Sequence, residues 1–352
     1  MLDINTILTV FLGIIGITFF GIFFGLLFKG IDRKLSAHMQ GRIGPPIRQP
    51  FRDVVKLFTK ENIVPDNAIP WVFHLAPVIG LIASVTILLY LPIAGFQPLF
   101  DGIINTRGDF ILILYLLILP SLAMVIGGFA SGSPYATVGA QREMATMIAY
   151  EFPLAIIIIT IAWKLLQNGV TSNVFTISAI STTPLWSIVG PAGLIGGILL
   201  LLALVIITPA ELSKIPFDSP EAETEIGGGL LVEYSGRNLG MFYLMDAVKT
   251  IAMATIIIAI FFPYNLSPIL GITEAITANI IDFVFFLVKI LLVVLFSITL
   301  IRVGVARLKI DQIVYTYWVP LTLMALVGLI LVMWDGFLVE QFGLPVISTM
   351  FN

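Results

Sequence analysis

The sequence contains no cysteine and only two histidines among its 352 residues. Without cysteine the chain can form no disulfide, ligate no iron–sulfur cluster and perform no thiol chemistry. His38 and His74 lie far apart in the sequence, so a metal or haem site built on histidine is not expected. We therefore expect no metal and no other cofactor in this chain.

Charged residues are also scarce. They make up 11% of the chain, whereas 59% of the residues are hydrophobic and the mean hydropathy is +1.07. A soluble globular protein is about half apolar and about a quarter charged. Because so few charged residues could not form the surface of a water-soluble fold, we expect a lipid bilayer to surround most of the chain. No linker-like or long polar block divides the sequence, which predicts a single membrane domain over residues 1–352 and no nucleic-acid partner.

Long apolar runs are abundant instead. A membrane-spanning helix needs about 20 apolar residues, and these runs are continuous rather than alternating, which favours helices over a β-barrel. The first run is followed by Lys29 without a small-residue cleavage site, so we expect it to be retained as a helix. The sequence predicts an all-α membrane protein with eight transmembrane helices, at approximately 5–28, 72–93, 110–130, 144–166, 190–210, 241–262, 281–301 and 314–339.

The distribution of the 18 lysine and arginine residues predicts the orientation. The connections 29–71, 131–143, 211–240 and 302–313 lie on one side of the predicted bundle and carry 14 of these residues. The opposite side carries Arg107 and Lys164, while Lys249 and Lys289 lie within predicted spans. By the positive-inside rule, the four connections are structured cytoplasmic loops of a multi-pass cell-membrane protein, with both termini outside.

The first cytoplasmic loop combines positive charge with turn-forming residues. Residues 31–65 include Met39-Gln40-Gly41-Arg42 and Gly44-Pro45-Pro46, and both glycine and proline preset turns. Attraction to anionic lipid headgroups and the setting of topology are the simpler interpretation. A plain basic loop would need neither glycine nor proline, so the pattern favours a shaped docking surface for another protein.

The third cytoplasmic loop is acidic, with six carboxylates in 23 residues against the single cation Lys214. Asp218, Glu221 and Glu225 are spaced i, i+3 and i+7, which predicts one face of a short helix starting at Ser219-Pro220. Crowded carboxylates at a membrane interface raise one another's pKa, which makes their protons exchangeable near neutral pH. A solvated acidic face and a hard-cation site are the alternatives to proton handling. The six residues are Glu211, Asp218, Glu221, Glu223, Glu225 and Glu233.

Further ionisable residues fall within or beside the predicted spans. Glu143 and Glu151, next to Arg142, are spaced i and i+8, so they share one stripe that is expected to point into the bundle. An acid within a span is costly and is a functional-site hypothesis by default. Asp246 and Lys249 are spaced i and i+3, which suits either a step of a proton path or a structural ion pair. Together these groups predict a line of titratable residues from the acidic loop into the membrane.

Five stretches are specific when taken together and in order. They are Arg33-Lys34 with Met39 to Pro45, Gly139-Ala140-Gln141-Arg142 through Tyr150-Glu151, Glu211 to Glu225 with Pro216-Phe217-Asp218-Ser219-Pro220, Val232-Glu233-Tyr234-Ser235-Gly236, and Arg302 to Arg307 leading to Asp311-Gln312 and Trp318. Across nearly the whole chain they resemble the membrane subunit shared by respiratory complex I, where it is known as subunit 1 or as the H subunit, and the energy-converting, membrane-bound NiFe hydrogenases.

The resemblance implies a scaffold between a cytoplasmic redox module and antiporter-like pumping subunits. It implies as partners a NiFe-type large subunit and iron–sulfur small subunits, which hold the NiFe centre and the clusters, with ferredoxin as an indirect partner. The implied proton relay comprises Glu143, Glu151 and the six carboxylates of the acidic loop, and the spacing on the sixth predicted span adds Asp246 and Lys249. The predicted contacts to the redox module are Arg33, Lys34, Arg42, Arg48, Arg142, Arg302 and Arg307, and of these the resemblance implies Arg33, Arg42, Arg302 and Arg307.

Departures from the complex I pattern favour the hydrogenase branch. The first loop reads Asp32-Arg33-Lys34 and Gly44-Pro45-Pro46, where the complex I form usually has Glu-Arg-Lys and Gly-Pro-Asn. We therefore expect a non-catalytic subunit of a ferredoxin-linked, ion-pumping hydrogenase complex, with protons or Na⁺ as the coupling ion. The alternatives are the matching subunit of a ferredoxin-linked sulfur-reducing complex, a quinone-chamber subunit that binds quinone, and a self-sufficient secondary transporter. No internal repeat supports the last of these.

Overall fold

The computed structural model describes residues 4–93, 109–170, 174–272 and 274–342. Within these residues, eight helices are long and apolar enough to cross a membrane. The extended pairing in this part of the chain is an isolated antiparallel bridge between Asp109 and Thr176. The structure thus confirms the prediction of an all-α membrane protein with eight membrane-spanning helices. Arg107, counted above on the outer side, lies outside the described residues.

The main helices are labelled in chain order, and each of them except α2 is a membrane span. They are α1 (Ile4–Met39), α2 (Gln49–Thr59), α3 (Pro70–Tyr90), α4 (Phe110–Ala130), α5 (Pro134–Gln167), α6 (Pro191–Glu211), α7 (Gly236–Phe261), α8 (Ala275–Gly304) and α9 (310–342). Short helical turns occupy Ile177–Thr182, Leu185–Ile188, Ser219–Glu221, Glu223–Ile226 and Gly229–Leu231. α8 and α9 contain π-helical stretches, at Leu295–Thr299 and Tyr317–Leu321.

Several predicted helix ends are wrong, because the helices continue past the apolar runs. α5 begins at Pro134 rather than at residue 144, so most of the predicted loop 131–143 is helical. Proline suits the first position of a helix because the N–H that it lacks would have no partner there. α1 continues to Met39, so Lys29 and Arg33 lie on its final turns and not in a loop. The predicted loops 29–71 and 302–313 likewise contain helical residues of α1, α2, α8 and α9.

α7 lies at the centre of the bundle, since 94% of its most apolar window is buried. It packs against α1, α3 and α8, while α6 packs against α9. Lipid tails are as apolar as leucine, so close packing rather than the hydrophobic effect holds membrane helices together. A Cβ atom at Gly196 of α6 would lie 2.8 Å from the carbonyl oxygen of Gly328 in α9. A small residue is therefore required where these two helices cross.

Because the spans alternate in direction, the segments 40–69, 131–133, 212–235 and 305–309 meet at one end of the bundle, which we call the charged end. The opposite end contains a buried ion pair. Lys164 Nζ lies 2.7 Å from the carboxylate of Asp335, and both side chains are almost completely buried. Asp335 also accepts hydrogen bonds from the N–H groups of Gly190 and Gly193, at 2.9 and 2.8 Å. A carboxylate at this position caps the first turn of α6 and complements its helix dipole.

Candidate functional site

A buried ammonium group lies where α4, α6 and α7 meet. Lys249 is 2% exposed, and its Nζ lies 2.8 Å from the carboxylate of Glu211. It also donates to the backbone carbonyl of Glu211 at 2.7 Å and to Ser121 Oγ at 2.8 Å. An isolated charge in the interior costs several kcal/mol, so the pair is stable only because each group compensates the other. The negative end of the α6 dipole, at Glu211, adds to the attraction.

A second carboxylate lies beside this pair on α5. Glu143 is 1% exposed and accepts a hydrogen bond from Ser213 Oγ at 3.4 Å. It is within electrostatic range of Lys249, Glu211 and Glu221. Its other carboxylate oxygen is buried and has no hydrogen-bond partner in the described part of the chain. Glu143 therefore faces the interior, as its helical spacing predicted, and has one oxygen free to exchange a proton.

Asp246 is held between two lysines from distant parts of the sequence. Lys29 Nζ of α1 lies 2.6 Å from its carboxylate, and Lys214 Nζ approaches the same group to 2.6 Å. Lys29 also lies over the ring of Tyr243, 3.4 Å from the ring centroid. The alternative that Asp246 forms an ion pair with Lys249 is wrong. Both residues lie on α7, but Asp246 faces Lys29 and Lys214, whereas Lys249 faces Glu211. The i, i+3 spacing showed proximity on the helix but could not show these partners.

A cavity of about 350 Å³ connects the Glu211–Lys249 pair and Asp246 with the charged end of the bundle. Its charged lining consists of Lys29, Arg33, Glu211, Lys214, Glu221, Glu223, Asp246 and Lys249. Glu221 and Glu223 also line an adjoining, more open depression beside Gly227 and Gly228. A cavity with both acids and bases on its wall can carry protons by exchange between neighbouring groups.

Glu221 has the acid–base properties that the mouth of such a cavity needs. Burial, together with the charges of Asp246 and Asp218, raises the pKa of its carboxyl to about 7, although the charges of Lys214 and Lys29 oppose the rise. The neutral carboxyl is therefore the form that favours the folded loop. Its stabilising contribution is present at low pH and is lost as the pH rises through about 7. Near neutral pH the group can both accept and release a proton.

We expect the difference between infrared titrations of the unaltered complex and of Glu221→Gln to contain one carboxyl component with a midpoint near pH 7. Lys214→Met should move this midpoint upward, because Lys214 favours the ionised carboxylate. Glu223→Gln is the matched control, since it removes an exposed carboxyl from the same loop and should leave the component in place. If the difference between the unaltered complex and Glu221→Gln contains no carboxyl component near pH 7, the assignment is wrong.

A second, smaller pocket opens on the flank of the bundle between α4 and α5. It has a volume of about 190 Å³ and is lined by apolar α4 side chains together with Glu151, Leu154 and Glu211. Tyr115 and Ile111, at its rim, are 67% and 46% exposed, so the pocket faces the lipid or a neighbouring membrane protein. Glu211 lines both this pocket and the cavity at the charged end. Glu211 thus lies between the two spaces and lines both of them.

The acidic loop does not form the single short helix that the spacing of its carboxylates predicted. Ser219–Glu221 is a 3₁₀ turn, Ala222 is extended, and Glu223–Ile226 is a separate helical turn. A Cβ atom at Gly139 of α5 would lie 2.6 Å from the N of Leu230. The loop therefore lies directly on α5, and this close backbone packing, rather than helix propensity, determines its shape.

Four of the seven cations predicted to contact a redox module have partners within the chain. Arg142 pairs with Glu225 at 2.6 Å and Arg307 pairs with Asp218 at 2.6 Å, which holds the acidic loop at two points. The remaining two pairs are Arg33 with Asp53 and Arg302 with Asp32, at 3.1 and 3.2 Å. Thr299, in the π-helical stretch of α8, also donates to Asp32 at 2.7 Å. These contacts tie the acidic loop to α5 and to the segment 305–309, and they tie α1 to α2 and to α8.

The other three predicted docking residues, Lys34, Arg42 and Arg48, are exposed at the charged end and form no ion pair in the described residues. Glu233 is half-buried beside α7 and does not line the cavity, so the structure does not join it to the other relay candidates.

Sequence reasoning missed the roles of several residues that contact the buried acidic and basic side chains of the site. They are Ser121, Ser213, Lys29, Lys214 and Tyr243, and of these only the two lysines carried a signal, as charges beside a span.

Within the described residues, no group of three histidine, aspartate or glutamate side chains is arranged to hold a metal ion. The acidic side chains instead face lysine, arginine, serine and threonine. The fold and this site together define a polytopic membrane subunit in which a buried carboxylate–ammonium network runs from one end of the bundle to its flank.

Comparison with known proteins agrees with this class. The sequence pattern of the family described as NADH dehydrogenase matches residues 12–333. The chain is 34% identical over 315 residues to the H subunit of NADH-quinone oxidoreductase from Rickettsia typhi, covering 84% of this chain and 85% of that one. It is 33% identical over 303 residues to NADH-ubiquinone oxidoreductase chain 1 of Sminthopsis macroura, covering 83% and 87%. For the H-type membrane subunit of the Koribacter versatilis enzyme, the match is 32% over 249 residues, or 67% of this chain and 56% of that one.

A solved structure is similar over nearly the whole fold. It is described as the membrane-bound sulfane sulfur reductase, an archaeal respiratory membrane complex, and one of its chains superposes with a TM-score of 0.76 at 30% identity. The match covers 94% of this chain and all of that one. This chain belongs to the NADH dehydrogenase subunit 1 family, which confirms the resemblance seen in the motifs. It is accordingly a membrane subunit of a complex I-like respiratory complex.

Proposed function

We propose that this chain is the coupling subunit of a ferredoxin-linked, ion-pumping hydrogenase complex, with its charged end in the cytoplasm and both termini outside. In this proposal it docks the cytoplasmic redox module and relays protons to antiporter-like subunits at its flank. Electron transfer takes place in partner subunits, which hold the NiFe centre and the iron–sulfur clusters. The observation that carries the proposal is the position of Glu211 between the cavity at the charged end and the pocket at the flank.

The relay has three steps in this proposal. Glu221, at the mouth of the cavity, exchanges protons with the cytoplasm or the docked module near neutral pH. Glu143 and the Glu211–Lys249 pair then receive the proton in the interior, where the free oxygen of Glu143 provides an acceptor. Glu151, in the flank pocket, passes it to the neighbouring membrane subunit. The charges of Lys29, Lys214 and Asp246 set the potential at the cavity mouth, so a redox-linked change in the docked module would shift the first step.

The docking surface in this proposal centres on Lys34, Arg42 and Arg48. Lys34 lies on the last turns of α1, and Arg42 and Arg48 lie in the loop that follows it. This loop is open to solvent, and Ile43 within it is 99% exposed. An exposed apolar side chain surrounded by unpaired cations is typical of a protein contact. Arg33, Arg142, Arg302 and Arg307 support this surface indirectly, since their ion pairs hold the underlying loops in place.

Reversing the charge of both Arg42 and Arg48 to glutamate is expected to weaken retention of the redox module by about tenfold, since two exposed ion pairs contribute about 1–2 kcal/mol together. The measurement is co-purification of the soluble subunits at increasing salt concentration. Arg237→Glu is the matched control, because Arg237 is exposed at the same end and outside the proposed surface. If the unaltered complex, the Arg42/Arg48 double variant and Arg237→Glu retain the soluble subunits equally, Arg42 and Arg48 are not part of the docking surface.

The branch of the family is decided by the composition of the intact complex. The departures in the first loop favour a hydrogenase, so we expect nickel in the large subunit of the purified complex. The structural similarity to the sulfane sulfur reductase favours a sulfur-reducing complex as the second candidate. A complex without nickel that reduces sulfane sulfur would select this second candidate. The relay proposed above is common to both.

A quinone-chamber subunit is a further candidate, favoured by the names of the curated relatives. The wall of the cavity includes Met124, Leu239 and Phe242, which offer an apolar surface beside the charged groups. Bound quinone extracted from the purified complex, with activity lost on adding quinone-site inhibitors, would favour this candidate over the hydrogenase.

A further inference from the structure

The surface helix α2 has two different flanks. On one flank, Asp53 accepts hydrogen bonds from Gln49 and Arg33, at 2.8 and 3.1 Å, which ties α2 to α1. On the other flank, Val55 and Phe58 are 64% and 45% exposed. Between the flanks, the outward face carries Arg52 and Lys56, one helical turn apart. α2 is therefore tied to α1 through Asp53 and packs on Gly240 of α7 through Phe58, and it leaves Val55 exposed on its free side.

Arg52 and Lys56 line a shallow groove together with Phe51, Val55 and Thr59. Both cations are exposed, and neither forms an ion pair within the described residues. The groove thus combines two uncompensated positive charges with an apolar wall. Basic residues next to exposed apolar ones are typical of helices that lie in the membrane interface.

The apolar wall continues from the groove along the membrane-facing side of α1. The ring of Phe51 lies 5.6 Å from that of Phe23, and Phe23 stacks on Phe19 at 5.7 Å. Phe19 and Ile15, further along α1, are 68% and 51% exposed. An aromatic track therefore leads from the two cations at the charged end toward the hydrocarbon core of the bilayer.

We propose that this groove binds one anionic phospholipid, with its phosphodiester on Arg52 and Lys56 and an acyl or isoprenoid chain along Phe51, Phe23 and Phe19. Charge complementarity selects an anionic headgroup, and the track supplies the surface for its chain. An acidic peptide would satisfy the cations, but it would leave uncovered an aromatic track that enters the bilayer. A neutral lipid would cover the track and leave the cations unpaired. The inference does not depend on the proton relay.

The test uses the purified complex in phosphatidylcholine nanodiscs, titrated with phosphatidylglycerol and followed by native mass spectrometry. We expect one phosphatidylglycerol to be retained in preference to phosphatidylcholine. The double variant Arg52→Gln/Lys56→Gln should weaken its affinity by roughly 25-fold, since each basic residue near an anionic lipid contributes about 1 kcal/mol. Val55→Gln, which keeps both charges but makes the apolar wall polar, should also lower the affinity.

The matched control is Arg237→Gln/Lys309→Gln, which removes two exposed charges from the same end but away from the groove. It should retain phosphatidylglycerol like the unaltered complex. The proposal is overturned if both lipids bind equally, or if the Arg52/Lys56 variant binds phosphatidylglycerol as well as the control does. Loss of soluble subunits from that variant with unchanged lipid binding would also overturn it, and would identify the groove as a protein contact instead.

Discussion

Replacing Lys249 with methionine is expected to lower the free energy of unfolding by about 3–5 kcal/mol, because removing one partner of a buried ion pair leaves an uncompensated charge. Glu211 would lose the ammonium 2.8 Å from its carboxylate, and Ser121 would lose its hydrogen-bond donor. We expect most of the variant protein to be missing from the assembled complex. The measurement is the midpoint of thermal unfolding, together with the fraction of the chain that co-purifies with its partners.

The double variant Glu211→Gln/Lys249→Met is expected to regain most of this stability, since a neutral amide needs no counter-charge. Lys289→Met is the matched single-lysine control. Within the part of the chain that the structure describes, the ammonium of Lys289 donates to the backbone carbonyls of Phe262 and Tyr264 and forms no ion pair, so its loss breaks no carboxylate–ammonium pair. If Lys249→Met unfolds at the same temperature as Lys289→Met or at a higher one, the Glu211–Lys249 pair contributes less to stability than we assign to it.

Lys164→Met is expected to destabilise the protein by a similar amount, about 3–5 kcal/mol, because it leaves Asp335 buried without its cation. Here the consequence for function should differ. The Lys164–Asp335 pair lines neither of the two spaces that Glu211 separates. The double variant Lys164→Met/Asp335→Asn keeps an oxygen acceptor for the first turn of α6, so it should regain both stability and ion transport.

Unfolding midpoints and ion transport by the reconstituted complex measure the two properties separately. The Lys164→Met/Asp335→Asn complex could be stable and react with its electron donor but transport no ions. This result would place the Lys164–Asp335 pair in the ion path. The contrast between the two buried pairs therefore distinguishes a structural ion pair from one that carries protons.

The apolar runs predicted the eight spans because burial in lipid requires continuous hydrophobic helices, and that requirement is visible residue by residue. The ends of α1 and α5 could not be predicted in the same way. Beyond the bilayer these helices are held by tertiary contacts, such as the packing of the acidic loop on Gly139. The spacing of Glu143 showed which face of α5 it occupies, and the structure confirms that this face is buried.

The partners of the buried charges were not predictable from spacing. Lys29 and Asp246 are 217 positions apart, so nothing local indicates that they meet. For the same reason, Arg142, Arg302 and Arg307 were indistinguishable in the sequence from the exposed Arg42. A positive charge beside a span predicts topology. Whether it pairs within the chain depends on which acidic side chain the fold places beside it.

The central proposal is that protons pass through the Glu143 and Glu211–Lys249 network on their way to the flank of the bundle. The most direct measurement is the number of ions transported per electron by the complex in liposomes, for the Glu211→Gln/Lys249→Met and Glu143→Gln variants. We expect assembly and electron transfer to be retained while ion transport is lost. Transport at the unaltered ratio in both variants, with intact assembly, would contradict the proposed relay.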